Sequence, residues 1–334
     1  MSGGEFSPAQ LRQFRHSLLA WFNEHARDLP WRRTSDPYAI WLSEIMLQQT
    51  RVNAALDHYA RFLKRFPTIK ALAEASEPDV LALWSGLGYY RRARMLHRAA
   101  QKVLHEFHGV IPSTVAGLRA LPGIGDYTSA AIASIAFREP AVAIDGNVER
   151  VVQRLTANGS TNGAIRKSAE LLLDREHPGD FNQAMMELGA TICLPRNPLC
   201  LQCPVQRFCR TRGEHPTAQR KEMIRKEVAY GLLRRARKGK TEVLLEQRSQ
   251  EASLMAGMWE LPLVEADADR LLLSVRHSIT TTNYRVSILH FEENEADLLP
   301  RRKAERQWVK AAELASLPLT GLARKVLRKL HIFI

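Results

Sequence analysis

From Pro8 to about Cys209, apolar residues recur at intervals of three and four, broken by Pro and Gly. That spacing turns one face of each successive helix toward a core. It predicts helices over residues 11–25, 38–62, 77–84, 91–105 and 164–173. After Val228 the texture changes. Residues 229–233 and 243–245 are apolar runs flanking an Arg/Lys/Gly stretch at 234–240, the pattern of a β-hairpin. Residues 283–291 form another strand candidate, and 311–330 read as helix again. The expectation is a mainly α chain: a helical domain over residues 1–210, a polar basic linker over 211–227, and a small α+β domain over 228–334.

The 334 residues are 45% hydrophobic and 25% charged, enough for two globular cores. Lys and Arg number 48 against 35 Asp and Glu, a net charge of +13. Residues 207–240 hold 12 Lys/Arg and 3 Glu, so this short stretch supplies +9 of the total. Such a stretch suits a polyanion, because neutralising phosphates releases counterions. On charge alone, a solvated linker fits equally well. No apolar run reaches membrane-spanning length, and residues 18–22 suit an amphipathic helix better than a signal peptide. A cytoplasmic monomer without membrane contact is expected.

The four cysteines, Cys193, Cys200, Cys203 and Cys209, fall in one segment spaced C-x6-C-x2-C-x5-C. Disulfides are rare inside cells, and structural zinc draws on two close pairs where only Cys200 and Cys203 form one. Four thiolates on one irregular loop suit a 4Fe–4S cluster, with zinc as the alternative. Pro195, Pro198 and Pro204 stiffen the loop, and Arg196, Arg207 and Arg210 are candidate phosphate contacts.

Upstream, Leu118-Arg119-Ala120-Leu121-Pro122-Gly123-Ile124-Gly125-Asp126-Tyr127-Thr128 reads as helix, tight turn, helix. Gly123 and Gly125 are expected to take backbone angles closed to other residues and to leave their amides bare beside a helix N-terminus, a seat for phosphate. Alone, the turn is also an ordinary helix connection. Together with the cysteine spacing, which directly follows Phe181-Asn182-Gln183-Ala184-Met185-Met186-Glu187-Leu188-Gly189-Ala190, the segment resembles the helix–hairpin–helix glycosylases: endonuclease III and the adenine DNA glycosylases called MutY. The resemblance implies a helix–hairpin–helix DNA glycosylase fold with an iron–sulfur loop of mainly architectural use. It also implies double-stranded DNA containing a mispair as partner. Bifunctional members carry a lysine where this chain has Tyr127, which has no amine to form a Schiff base, so base removal without efficient strand cleavage is expected.

Two carboxylates carry the chemistry. Glu44, within Trp41-Leu42-Ser43-Glu44-Ile45-Met46-Leu47-Gln48-Gln49-Thr50, shares a helical face with Ile40, Trp41, Leu47 and Gln48. Desolvation there would raise its pKa and suit a general acid; most helix glutamates, though, simply reach solvent. Asp145 precedes Gly146-Asn147-Val148 at a helix start. Capping alone would explain it, but a fixed carboxylate also stabilises an oxocarbenium-like sugar. Both segments resemble the adenine glycosylase motifs. The resemblance implies that Glu44 protonates the adenine ring and Asp145 stabilises the sugar cation, with Tyr127 and Asn147 assisting. It further implies an adenine pocket of Arg27, Leu29, Trp31, Arg32, Val52 and Glu187, duplex contacts at Gly123 and Gly125, and, at Gln49, Thr50, Leu87 and Tyr89, positions that wedge the duplex and touch the opposing base. Other base specificities on this scaffold (thymine at a G·T mismatch, an oxidised pyrimidine) and a non-catalytic DNA-structure reader are the rival readings.

The C-terminal segments Val243-Leu244-Leu245-Glu246-Gln247-Arg248 and Gly257-Met258-Trp259-Glu260-Leu261-Pro262 resemble the Nudix-like domain of adenine glycosylases. No R-E-x-x-E-E helix follows Glu260, so nucleotide hydrolysis is not expected. Where that family carries a Phe-Ser-His triplet that identifies 8-oxoguanine, this chain has Ile279-Thr280-Thr281, and Thr280 alone matches in kind.

Overall fold

The computed structural model describes residues 6–157, 161–213, 223–252, 254–279, 281–300 and 305–332. By backbone proximity the chain divides into two compact units, residues 1–73 with 98–218, and residues 74–97 with 219–334.

The first unit is helical. Ser7 opens α1 (Pro8–His25) with a reciprocal capping box to Gln10 and a proline in the first turn. Its buried stripe, Leu11, Phe14, Leu18 and Phe22, packs in one core with Val151 and Val152, with Phe181, Met185 and Leu188, and with Phe208 of the cysteine loop. The Phe14 ring meets Phe208 at 5.8 Å and Phe181 at 6.2 Å, edge-on. Next come α2 (Pro37–Leu47), capped by Asp36, α3 (Val52–Arg65) and α4 (Ile69–Ala73). The helix expected over 38–62 is thus two helices. Residues 48–51, the polar run Gln-Gln-Thr-Arg, leave the helical path and Gln49 turns to φ 57°. Every residue of α2 from Tyr38 to Met46 is buried, so this helix is core on all sides.

Beyond α5 (Glu77–Trp84) and α6 (Arg91–Glu106), the short α7 (Val115–Arg119) and α8 (Asp126–Phe137) form the expected hairpin. Gly123 at its turn has φ 78°. Gly125 does not: at φ −96° it is extended backbone, and its contribution is open space, since a Cβ there would meet no atom within 4 Å. Then follow α9 (Gly146–Thr156), α10 (Asn162–Leu172) and α11 (Pro178–Thr191). Helix α11 crosses α9 at Gly189, where a Cβ would come within 2.6 Å of the Asn147 Cβ.

The second unit holds α5, the first turns of α6, and a sheet of order β3-β2-β1-β6-β5 with β4 on β1 and β7 on β2. The strands are β1 (Ile224–Arg237), β2 (Lys240–Gln247), β3 (Trp259–Glu260), β4 (Leu263–Val264), β5 (Leu271–Ile279), β6 (Thr282–Phe291) and β7 (Arg306–Lys310). The β1–β2 hairpin closes through Lys238 and Gly239, at φ 48° and 72°, the backbone that a two-residue turn requires. β1 begins inside the stretch expected as linker and pairs with β6 in parallel from Ile224↔Thr282 to Leu233↔Phe291. The helix expected over 311–330 is a 3-10 segment (Ala311–Ser316) and α12 (Gly321–Lys329), interrupted at Pro318. Leu322, Val326 and Leu327 of α12 pack with Leu232, Val243, Leu245, Val275, Val286 and Ile288 of the sheet. Among the described residues, no helix is long and apolar enough to cross a membrane.

Candidate active site

Because α2 is buried on every side, Glu44 is only 7% exposed. Burial raises its carboxyl pKa to about 7; the Tyr127 hydrogen bond and Arg32 oppose that rise, and nearby Asp145 adds to it. Tyr127, in the first turn of α8, donates its hydroxyl to Glu44 Oε2 at 2.6 Å and lies 3.2 Å from Met186 Sδ. Burial and the neighbouring Glu44 push the phenol well above its ordinary value, so it stays a protonated donor.

Asp145 caps α9. Its Oδ1 accepts from the backbone N–H groups of Asn147 (2.9 Å) and Val148 (2.7 Å), and its Oδ2 from the Asn147 side chain (2.9 Å). The positive end of the helix faces the same carboxylate. The Asn147 amide is held in turn by Arg150, which donates to Asn147 Oδ1 (2.9 Å), to Gly189 O (2.6 Å) and to Cys193 O (2.8 Å).

Glu187 on α11, 1% exposed, accepts from Arg27 at both oxygens (2.7 Å each) and from Arg32 (2.8 Å). Burial alone would raise its pKa, but the two guanidiniums outweigh it and hold the carboxylate at about 2. Arg32 also donates to Arg27 O, which fixes the 27–32 segment in shape. Leu29 and Trp31 of that segment are buried, Trp31 edge-on against Tyr59 at 5.3 Å. Val52, the first residue of α3, is half-buried. Met186, Arg150 and Gly189 were missed in the sequence. Arg150 had a signal, its i+3 spacing from Asn147 on one helix face; Met186 and Gly189 sit in the quoted α11 segment with nothing to single them out.

The four cysteines are unbridged and half-buried, and all line one open pocket bounded also by Arg154, Ile192 and Pro198. Arg154, 2% exposed, donates to Cys193 Sγ (3.3 Å) and to the carbonyls of Leu194 and Pro195. Burial raises the Cys193 thiol and takes Cys203 to about 11. Of the three loop arginines proposed for phosphate, Arg196 is exposed. Arg207, which lies over the Phe208 ring and bonds Ser17, and Arg210, which lies over Phe6, are exposed as well.

A family profile described as the HhH-GPD superfamily of base excision DNA repair proteins matches residues 42–174. The chain is 47% identical over 219 residues to the human adenine DNA glycosylase, covering 61% of this chain and 40% of that protein. It is 35% identical over 353 residues to that of Arabidopsis thaliana, covering 91% of this chain and 56% of the relative. A thermostable thymine-DNA glycosylase structure is similar at TM-score 0.57 and 29% identity, over 61% of this chain and 97% of that one. The chain belongs to the MutY family of helix–hairpin–helix DNA glycosylases. It spans about half the length of the curated relatives it matches.

The positions expected of that family as duplex contacts are presented differently from one another. Gln49 is exposed on its left-handed backbone, and Thr50 donates to Gln48 O at 3.5 Å. In the second unit Leu87 is buried, whereas Tyr89 is 44% exposed at φ 50°, with the Arg92 guanidinium 5.4 Å from its ring. Thr280 lies outside the described residues. Its neighbours, the ends of β5 and β6, are joined by Ser278 Oγ donating to Asn283 Oδ1 at 2.6 Å.

Proposed function

We propose that this protein is a monofunctional adenine DNA glycosylase, acting as a monomer on duplex DNA to remove adenine mispaired with 8-oxoguanine or guanine. The observation that carries the reading is the pairing of a buried Glu44, poised at about pH 7, with a hydrogen-bonded Asp145 close enough to influence it.

The adenine, turned out of the stack, would occupy the wall built by Arg27, Leu29, Trp31, Arg32, Val52 and Glu187. Protonated Glu44 gives its proton to a ring nitrogen. The glycosidic bond then breaks with its electron pair leaving on the base, and C1′ becomes an oxocarbenium-like cation beside Asp145. Water adds at C1′ and its proton restores Glu44, leaving free adenine and an abasic sugar. Tyr127 donates to the Glu44 carboxylate after the proton has left, and Asn147 keeps the Asp145 oxygens in place. No amine stands where strand cleavage by Schiff base would need one.

Cys193, Cys200, Cys203 and Cys209 would hold a 4Fe–4S cluster. The donor set fits: four unbridged thiols line a single pocket, and Arg154 supplies positive charge against thiolate there. A bound cluster would fasten the loop; excision uses no electron, and the residues named above supply what it requires. Iron and acid-labile sulfide at about four per chain in the purified protein are expected, and stoichiometric zinc would refute the assignment.

The function is tested by single-turnover excision on duplexes that differ in one pair: adenine opposite 8-oxoguanine, guanine or thymine, and thymine opposite guanine. Release of thymine without adenine from any duplex would overturn the reading. Equal adenine release opposite 8-oxoguanine and guanine would show that the Ile279–Thr281 change has removed lesion discrimination. Asp145→Asn is expected to slow excision by roughly a hundredfold or more while leaving duplex affinity nearly unchanged. A parallel loss of affinity would reduce Asp145 to a helix cap.

A further inference from the structure

Residues 74–97 cluster with the C-terminal sheet, although the family match at 42–174 runs straight through them. Two of the contacts that tie them there converge on one carbonyl. Ser85 Oγ donates to Leu319 O at 2.8 Å, and Tyr90 OH donates to the same oxygen at 3.2 Å. Tyr90 OH also accepts from the backbone N–H of Gly86 at 3.4 Å. All three residues are buried: Ser85 is 1%, Tyr90 4% and Leu319 0% exposed.

Ser85 and Tyr90 stand immediately before and after the loop 86–89. Within it Gly86, Gly88 and Tyr89 are left-handed, at φ 109°, 72° and 50°. For Tyr89 that backbone costs free energy and persists only where the surroundings impose it. Trp84 Nε1 and the Arg92 guanidinium both donate to Gly88 O, at 3.2 Å each, so the loop interior is pinned as well. The result is an exposed tyrosine ring on a loop whose two ends meet at one acceptor.

That acceptor is itself fixed to the sheet. Trp259 of β3 donates to Pro318 O and accepts from Thr320 N, each at 2.9 Å, so segment 318–320 is bridged in parallel to β3 at Leu319. One turn into α6, Arg94 pairs with Glu77 at 2.8 Å and donates to Ala256 O, three residues before Trp259. The 255–259 and 318–320 segments therefore grip the loop from its start to the first turn of α6.

We propose that Ser85 and Tyr90 are positioning residues through which the Leu319 carbonyl of the C-terminal sheet sets the attitude of Tyr89. The unit that meets the opposing base thereby also governs how the duplex is opened. This rests on the reading of Tyr89 as a wedge between bases. A carbonyl that accepts from both ends of a loop defines the loop's orientation as well as its place, because removing either donor frees one end to rotate.

The test uses the full chain and the variants Ser85→Ala, Tyr90→Phe, their double, Ser85→Thr and Tyr89→Ala. Unstacking is followed by the fluorescence of 2-aminopurine beside the target adenine, together with single-turnover excision. Two duplexes are compared: one fully paired around the mispair, and one with mismatched flanking pairs in which little stacking remains to be opened. Ser85→Ala and Tyr90→Phe should each cut the fluorescence rise and the excision rate on the paired duplex by roughly five- to tenfold, the effect of one lost buried hydrogen bond. On the pre-opened duplex their rates should stay within about twofold of the parent. Ser85→Thr, which keeps the hydroxyl, should restore both signals. Equal losses on the two duplexes, or full unstacking by both single variants, would overturn the proposal. Should the double variant fail to fold, the near-isosteric Tyr90→Phe decides alone. Tyr89→Ala separates the two levels: if it unstacks the duplex normally the wedge reading falls, and if it fails to while the Ser85 and Tyr90 variants behave as parent, only the coupling falls.

Discussion

Glu44 releases its proton from the folded chain near pH 7, against an ordinary value of 4.5, and the direction of that difference fixes two outcomes. The folded state binds the proton more tightly than the unfolded chain does. Stability is therefore full below about pH 4.5 and declines as pH rises toward 7, by up to about 3 kcal/mol. Glu44→Gln carries no such burden, so it should be more stable than the parent in urea at pH 8, with the advantage shrinking toward pH 5, while losing excision. For the parent, single-turnover excision should fall as pH climbs through about 7, because the acid is then deprotonated. A rate that rises through that range would remove Glu44 from the acid's role. Glu187 behaves oppositely: with Arg27 and Arg32 holding it at about 2, it stays charged throughout and contributes nothing to that profile.

Elements show how far the sequence could be read and where it stopped. Helix α5 runs over Glu77–Trp84 as its spacing predicts, and α1 extends the expected 11–25 by only three residues at its capped start. Local periodicity was sufficient in those places, and only the start set by the Ser7 cap was missed. The α2–α3 break falls on four polar residues, Gln48, Gln49, Thr50 and Arg51, and it was passed over because the helical spacing of apolar residues resumes at Val52 on the far side. Gly125 was misread because a Gly-x-Gly turn announces freedom at both positions, and only Gly123 uses it. In the candidate site the residue types were visible but their partners were not: Glu44 meets Tyr127 across 83 positions and Arg27 meets Glu187 across 160. Family resemblance bridged those distances where periodicity has no reach. At the hairpin, Gly123→Ala forces a Cβ onto left-handed backbone at about 1–2 kcal/mol. Weaker duplex affinity is expected, with the excision rate of saturated complex nearly unchanged. Titration of fluorescent duplex separates the two effects, and an equal fall in saturated rate would make the turn part of the chemistry.

At the scale of the molecule, charge and division into units set the behaviour. A net charge of +13, concentrated around the passage between the two units, should make affinity for any duplex strongly salt-dependent, matched or mismatched. Plotted as log affinity against log salt, the mispaired and paired duplexes should fall with similar slopes and differ by an offset. A slope confined to the mispaired duplex would mean that the phosphates contribute only within the specific complex. The two units also differ in what secures them. Each has an apolar core, around Phe14 and Phe181 in the helical one and between α12 and the sheet in the other, but in the second unit residues 85–94 are also joined to their sheet through the carbonyls of Leu319 and Ala256. An apolar core tolerates changes of shape at conserved volume, whereas a buried hydrogen-bonded junction is in addition sensitive to loss of a donor.

Gly189 illustrates how little chemistry a damaging change needs. A methyl group at this point of α11 would press on Asn147, the residue that steadies one oxygen of Asp145 and accepts from Arg150. Gly189→Ala adds no charge, removes no hydrogen-bonding group and by helix propensity alone should be welcome. In a survey of variants it would nevertheless score with losses at Asp145 itself, slow to release the base, and because the clash is with the Cβ and main chain of Asn147 it should also be less stable than the parent. Its crystallised form should show the Asn147 amide displaced. In this chain, a silent-looking position on a helix crossing is therefore as diagnostic of impaired repair as the carboxylates are.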